Sequence, residues 1–390
     1  MKKNIALFVV LLIVLLATIK TWIVFYVNEF LICAIADILI IILGKKAFQV
    51  SSFSSGATLL AIMASMLYTR GNLNAYLGAM LNISPFLLFC YLRQEVRMEF
   101  LLFFNKVFAT ILTISVSGWI LFLLGVQMPH SYITYIEYNQ FDNYFLFLNG
   151  VNVNALEAFF PRFYSIIIEP GDLACILCLL IYLDHYRLNR WYNIVYLISL
   201  MLTFSLAGLL LFVVGLIPNL LLSSGKAKLY IFSVFLSLGL LITYAITTSE
   251  NSIVYQMIGQ RLIEADDTEN IPAYNRADKD IGDFMEKTFW KSDNVLFGYG
   301  ESLPYNGVDM RVFVAKFGLV PLVAYFIFLS FCFLRKNSTF GLWYFLLFFL
   351  IFYKGYSMLF YSGMLMVYLM GIEWCYINKN HKWRLWPVKK

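Results

Sequence analysis

Charge is what this sequence has least of: 13% of its 390 residues are charged, where a soluble domain carries about a quarter. With 61% of residues hydrophobic and a mean hydropathy of +0.76, a soluble fold of this length would leave too much apolar surface in water. Histidine is nearly missing, with only His130, His185 and His381. No Ser/His/Asp set, zinc-binding spacing or P-loop occurs, which removes the commonest hydrolytic, metal-centred and nucleotide-driven chemistries. The reading therefore needs no metal and no cofactor. The six cysteines (33, 90, 175, 178, 332 and 375) all lie in apolar segments, so no disulfide framework is expected. Cys175-x-x-Cys178 has no third or fourth ligand nearby and reads as small residues packing between helices. Neither a fixed-period repeat nor a low-complexity tract is present, which weighs against a transporter made of two similar halves. The first apolar run, 4–19, follows Lys2 and Lys3 but lacks a small-x-small cleavage site, and reads as a retained span.

What fills the sequence is a succession of apolar runs near the length that crosses a hydrocarbon core of about 30 Å. They predict an all-α polytopic membrane protein of about 12 transmembrane helices, a single integral membrane domain over 1–390. The candidate spans are 4–19, 21–43, 56–69, 72–92, 99–125, 166–184, 191–206, 207–222, 229–248, 308–334, 339–353 and 356–377. One alternate set of connections is rich in cations: Lys2/Lys3, Lys45/Lys46, Arg93/Arg97, Arg187/Arg190, Lys226/Lys228, Arg335/Lys336 and the tail after Lys379. The positive-inside rule puts that set, and both termini, in the cytoplasm. The net charge of +6 follows from this topology and calls for no nucleic acid. Residues 191–222, about 48 Å as one helix, are too long for one straight crossing and short for two. Two tilted short helices or a re-entrant pair would fit.

Two outer connections are large. In 127–164, the alternating stretch Tyr144–Leu148 followed by Asn149-Gly150 reads as a small hairpin. In 249–307, Ile281, Phe284, Met285 and Phe289 fall on one face of a helix, with Asn275 as N-cap and Asp278 and Asp280 in its first turn. Ile253, Met257, Ile258 and Leu262 suggest a second amphipathic helix, and both would lie at the membrane interface or over a cavity.

Ionisable residues at membrane depth or at helix mouths are costly and mark candidate sites. Arg162-Phe163-Tyr164 precedes Glu169-Pro170-Gly171-Asp172, where Pro170 suits the first turn of a helix and the carboxylates suit its positive end. That arrangement reads either as a capped helix with an interfacial arginine or as a guanidinium and carboxylate at a cavity mouth, matched to phosphate oxygens. Arg261 and Arg276 stand among acids such as Asp266-Asp267. After them come Leu296-Phe297-Gly298-Tyr299-Gly300, Asn306, Asp309, Arg311, Lys316 and Gly318, with Lys316 expected about two turns down the span 308–334. Lys106 lies in the fifth span, with Asp37 as its intramembrane counter-charge. Outward-facing arginines with carboxylates suit a lipid diphosphate leaving group, since ATP is absent outside.

These residues resemble the O-antigen polymerase (Wzy-type) and O-antigen ligase superfamily of membrane glycosyltransferases. Four stretches carry the likeness across about 155–335. Arg162 to Pro170 resembles the arginine and Glu-Pro that open a span, and Leu202-Thr203-Phe204-Ser205 with Gly208 resembles the Thr-x-Ser element. Arg261, Asp266-Asp267 and Arg276 resemble the paired arginines of the large periplasmic loop. Phe297-Gly298-Tyr299-Gly300, with Asp309 ahead of Gly318, resembles the run by which that loop re-enters the membrane. The sequence departs in having Leu206 and Ala207 where a basic residue usually follows the serine.

The resemblance implies a GT-C-like fold in the bacterial inner membrane, with the active site facing the periplasm. It implies that oligosaccharide units on undecaprenyl diphosphate are joined into O-antigen or capsule-type polysaccharide, donor and acceptor both being lipid-linked, with membrane lipid and a chain-length regulator protein as partners. Arg162, Arg261, Arg276, Arg311 and Lys316 would bind diphosphate, Glu169 or Asp309 would be the base, and Tyr164, Trp290 and Tyr299 would stack on sugars. The ligase branch carries a histidine leaving the large loop, and 301–318 contains none, which favours the polymerase. A ligase, a polysaccharide-lipid flippase or other transporter, and an assembly scaffold are the competing readings.

Overall fold

A long apolar segment satisfies its backbone N–H and C=O groups internally as a helix, and the computed structural model of the chain is mainly helical. It describes residues 4–19, 21–22, 27–49, 73–135, 139–144, 148–152, 162–222, 233, 240, 243–244, 247–248, 255, 280–305, 310–336, 338–354 and 362–378. The expected span 56–69 and most of 229–248 lie outside these residues. The chain divides into two compact units. Unit 1 comprises Met1–Lys20, Val27–Phe103 and Ala273–Lys379; unit 2 comprises Thr21–Tyr26, Phe104–Pro272 and Asn380–Lys390.

Unit 1 contains α1 (Ile5–Thr18), α2 (Glu29–Gly44), α3 (Leu73–Tyr91), and the start of α4 (Gln94–Leu123). It continues with α8 (Ile281–Lys287), α9 (Met310–Phe317), α10 (Leu319–Arg335), α11 (Thr339–Lys354) and α12 (Ser362–Ile377). Unit 2 contains the rest of α4, a small sheet, α5 (Pro170–Leu183), α6 (Trp191–Leu202) and α7 (Leu206–Leu222).

The start of α2 departs from the expected span 21–43. Asn28 Oδ1 accepts the N–H groups of Phe30 (2.9 Å) and Leu31 (3.4 Å), capping a helix that begins at Glu29. Thr21 instead pairs with Ile167 in an isolated bridge.

α12 is the centre of unit 1. It is apolar on every side and buried from Ser362 to Glu373, as a helix packed all round should be. Its neighbours are α1, α3, α10 and α11. At its start, Ser362 Oγ enters the backbone ladder of α3 at Pro85, accepting from Phe86 N–H (3.3 Å) and donating to Asn82 O. Pro85 cannot donate to Leu81 O, and Ser84 Oγ takes that carbonyl at 3.1 Å.

At its other end α12 supplies Glu373, buried to 0% exposure and paired with Arg97 of α4, itself 2% exposed. Arg97 Nε donates to Glu373 Oε2 at 2.8 Å and Nη2 donates to Oε1. Nη1 donates to Cys90 O (3.1 Å) and to Leu92 O, two carbonyls at the C-terminal end of α3. Arg97 was expected in a cytoplasmic connection. Instead α4 begins at Gln94, five residues before the expected span, and carries Arg97 inside.

In unit 2 the expected hairpin is a three-stranded antiparallel sheet: β1 (Ser131–Tyr135), β2 (Asn139–Tyr144) and β3 (Asn149–Asn152). Asn149 and Gly150 are not its turn. They lie on β3, paired with Tyr144 and Asn143 of β2, and Leu148, at φ +48°, precedes them. α5 is buried throughout and packs against α6 and α7. It starts at Pro170 rather than at 166, with Glu169 at the N-cap and Asp172 in the first turn. Residues 191–222 form two helices of 12 and 17 residues, so the break lies at 203–205.

Among the described residues, α4 alone is long and apolar enough to cross a bilayer, with α9 and α10 as a second if that bent pair is one span. Seven further apolar helices are 10–17 residues long. Several present apolar stripes outward. On α2, Leu31, Ile35, Ile38 and Ile42 are exposed at helical spacing, as are Ile5, Val9 and Ile13 on α1 and Val323, Ile327 and Leu334 on α10. All six cysteines are buried and unbridged.

Removing one partner of a buried ion pair strands the other charge. Arg97→Met is expected to destabilise the protein by about 3–5 kcal/mol, and adding Glu373→Leu to recover part of that loss. Thermal unfolding of purified protein checks this; a single variant that melts like wild type would refute it.

Candidate functional site

Each unit holds a polar cluster at a helix break. In unit 2 the break is Thr203-Phe204-Ser205. α6 ends where Phe204 takes φ +46°, leaving its last carbonyls without intrahelical donors. The chain entering α5 supplies them: Phe163 N–H donates to Leu202 O (3.1 Å) and Arg162 Nε to Thr203 O (2.9 Å). Thr203 Oγ1 donates to Leu200 O (2.7 Å) and accepts Ser205 N–H (3.3 Å). Ser205 Oγ accepts Gly208 N–H (3.2 Å), capping α7. The Thr-x-Ser element thus closes one helix and opens the next, with an arginine laid across the gap.

Close packing holds this turn in place. A Cβ on Gly208 would lie 2.4 Å from Ala174 Cβ, and Cys178 Sγ donates to Gly208 O at 3.1 Å, so Cys178 serves packing between α5 and α7. Phe163 is fully buried with Trp119 edge-on at 6.0 Å. Ser165 Oγ donates to Ser115 Oγ (2.8 Å), which donates to Leu148 O (2.6 Å), joining this segment to α4 and the approach to β3. Arg162 is half-buried and Glu169 exposed, while Asp172 is buried on the first turn of α5. Tyr164, expected to stack on a sugar, is only 7% exposed, with its ring in the packed interior.

In unit 1 the break is Gly318. α9 and α10 meet there at a bend of 117°, where a single span over 308–334 was expected. Gly318 has φ +84°, and a Cβ would lie 2.3 Å from Leu296 O. Gly298, at φ +66°, faces the same junction from the other side, its Cβ position 2.2 Å from Lys316 O. The two glycines let the loop and the bend approach backbone to backbone. Three hydrogen bonds close this clasp: Leu319 N–H to Val295 O (2.9 Å), Val320 N–H to Leu296 O (3.0 Å) and Tyr299 N–H to Ala315 O (2.8 Å).

The clasp gathers several expected site residues. Helix α8 buries Ile281 and Met285 on the expected face, but it starts at Ile281 with Asp280 as N-cap residue, and Phe289 sits in the following 3₁₀ turn. Asn275 and Asp278 lie outside the described residues. Phe284 packs against Tyr299 (5.4 Å, edge-on) and Tyr305 (4.9 Å), while Trp290 meets Phe289 and is half-exposed. Arg311 lies over α8, with Nη1 3.7 Å from a Cβ built on Gly282. Lys316 is half-buried two residues before Gly318, its ammonium 5.9 Å from the centroid of the Phe317 ring.

Arg162, Tyr164 and Glu169 therefore belong to unit 2, and Trp290, Tyr299, Arg311 and Lys316 to unit 1. Arg261, Arg276, Asp266, Asp267 and Asp309 lie outside the described residues. Asp37 takes a serine partner, Ser84, within unit 1, and Lys106 of unit 2 is exposed on α4. Sequence reasoning missed the Arg97–Glu373 pair; a lone acid in the apolar run 362–377 was the available signal. Among the described residues, no group of three or more His, Cys, Asp and Glu could hold a metal ion. No family model, curated protein or solved structure matches the chain.

Gly298→Ala and Gly318→Ala each place a Cβ against a carbonyl and strain a positive φ, at a cost of about 1–3 kcal/mol. Faster tryptic cleavage at Lys287 or Lys291 is expected in both variants. Unchanged digestion would show that the clasp does not hold the loop.

Proposed function

We propose that the protein is a polytopic membrane glycosyltransferase of O-antigen polymerase type, which joins oligosaccharide units carried on undecaprenyl diphosphate. The observation that carries this reading is the bond from Arg162 to Thr203 O. Two stretches that resemble separate polymerase elements, 41 residues apart, meet at one turn. The basic residue that is missing after Ser205 has a counterpart in space, since Arg162 brings a guanidinium to the same turn. The apolar stripes exposed on α1, α2 and α10 support a membrane setting, because a soluble surface rarely carries such continuous patches. The about 12 spans, the GT-C-like arrangement and the inner-membrane location belong to this proposal.

In the reaction, an acceptor hydroxyl oxygen bonds to the anomeric carbon of the donor chain while the bond from that carbon to the diphosphate oxygen breaks. The electron pair leaves with the diphosphate, and the hydroxyl proton passes to a carboxylate, Glu169 or Asp309. Cationic side chains stabilise the charge that develops on the leaving group: Arg162 and Arg261 are the candidates in unit 2, and Arg276, Arg311 and Lys316 those in unit 1. Guanidinium forks match phosphate oxygens, and the energy of the donor bond drives the step. Trp290 and Tyr299 offer ring faces to sugars beside Arg311 and Lys316.

Arg162→Glu or Arg276→Glu is expected to lower polymer formation on the order of 10²–10³-fold while single repeat units persist. Gel profiles of the envelope polysaccharide check this, and wild-type chain lengths in both variants would sink the proposal. Loss of the whole protein should leave core carrying one unit; bare core would mean a ligase instead.

A further inference from the structure

Leu296 and Phe297 are 54% and 39% exposed, outside any helix. Isolated apolar residues on a surface need no explanation. These two are consecutive, and their backbone is held in place. Gly298 N–H donates to Asn294 O (2.7 Å), and the bonds from Leu319 and Val320 N–H to Val295 and Leu296 O fix the segment at the first turn of α10. Its position along the axis of α10 is therefore set by backbone geometry rather than by a tether.

The bend defines what lies at that level. α10 presents the exposed stripe Val323, Ile327 and Leu334, the face that hydrocarbon would cover if the helix crosses a bilayer. α9 leaves it at 117°, with Val312, Phe313, Val314 and Ala315 buried and Arg311 and Lys316 only partly so. If α10 crosses the bilayer, a helix bent 117° from it does not continue that crossing, so Gly318 marks the end of the crossing segment, where headgroups meet acyl chains. Leu296 and Phe297 stand beside the first turn of α10, through the bond that Leu296 O accepts from Val320 N–H.

We propose that Leu296 and Phe297 form a membrane anchor, inserted at the headgroup–acyl boundary of the leaflet at the α10 N-terminus. The anchor holds the clasp at constant depth, and with it Arg311 and Lys316 of α9. This rests on reading α10 as a membrane-crossing helix and does not depend on the glycosyl-transfer chemistry.

The test places a nitroxide label at Leu296→Cys and, separately, at Phe297→Cys in the full chain. The protein is reconstituted in nanodiscs of phosphatidylethanolamine and phosphatidylglycerol. The native cysteines are all buried, and labelled wild type supplies the background. Val323→Cys serves as the hydrocarbon reference and Lys287→Cys, exposed on α8, as the aqueous one. Collision with oxygen above collision with a nickel chelate at both 296 and 297, as at 323, is the expected result. Nickel-chelate access at 296 and 297 matching 287, while 323 stays oxygen-rich, overturns the anchor alone. Nickel-chelate access at 323 as well overturns the anchor together with the membrane reading of α10. Polymer formation by the unlabelled variants reports separately on the chemistry.

Discussion

Unit 1 depends on the requirement that a buried charge be met on every side. Arg97 and Glu373 are both essentially without water, so each would be untenable without the other. The planar guanidinium meets the carboxylate through Nε and Nη2, and its Nη1 meets the last carbonyls of α3. Those carbonyls lie at the negative end of a helix, where a cation is favoured. One side chain thereby sets the start of α4, the end of α3 and the height of α12. A lysine could not do the same, because its compact charge lacks the fork that reaches two helices and a carboxylate together.

The same accounting explains the helix breaks. At three helix breaks among the described residues, freed backbone groups are taken up by a group from elsewhere in the same unit. Ser362 bridges the ladder of α3 at Pro85. Phe163 N–H and Arg162 close the end of α6. Val295 and Leu296 accept the first N–H groups of α10 beyond Gly318. Irregular backbone is tolerated in apolar surroundings only under this condition, so a break is also a place where polar atoms are held rigidly. The residues with the strongest claim to chemistry, Arg162 at one break and Arg311 and Lys316 ahead of another, stand at such places.

The roles proposed for them rest on this placement. Arg162 is positioned by its own Nε, so the same residue that completes the turn also carries charge to its partly exposed surface. Arg311 and Lys316 ride on a short helix whose orientation is fixed at Gly318. In the proposed reaction, preorganised donors of this kind would meet the developing diphosphate charge without reorganising.

Local patterns in the sequence specified much of the helical layout. Pro170 begins α5 with Glu169 at its cap, the face Ile281, Met285 and Phe289 is buried, and 191–222 breaks in two. These depend on neighbours within a few residues, where propensity, capping and periodicity act. Tertiary structure alone decided the rest. Arg97 reads as a loop cation until Glu373, 276 residues away, is brought to it. Asn149-Gly150 reads as a turn until β2 claims both residues as strand partners. Residues 308–334 read as one span until Val295 and Leu296 stabilise a sharp bend at Gly318. In each case the local preference was compatible with two structures, and a partner remote in sequence selected one by satisfying polar groups that the other would have left buried and unmet.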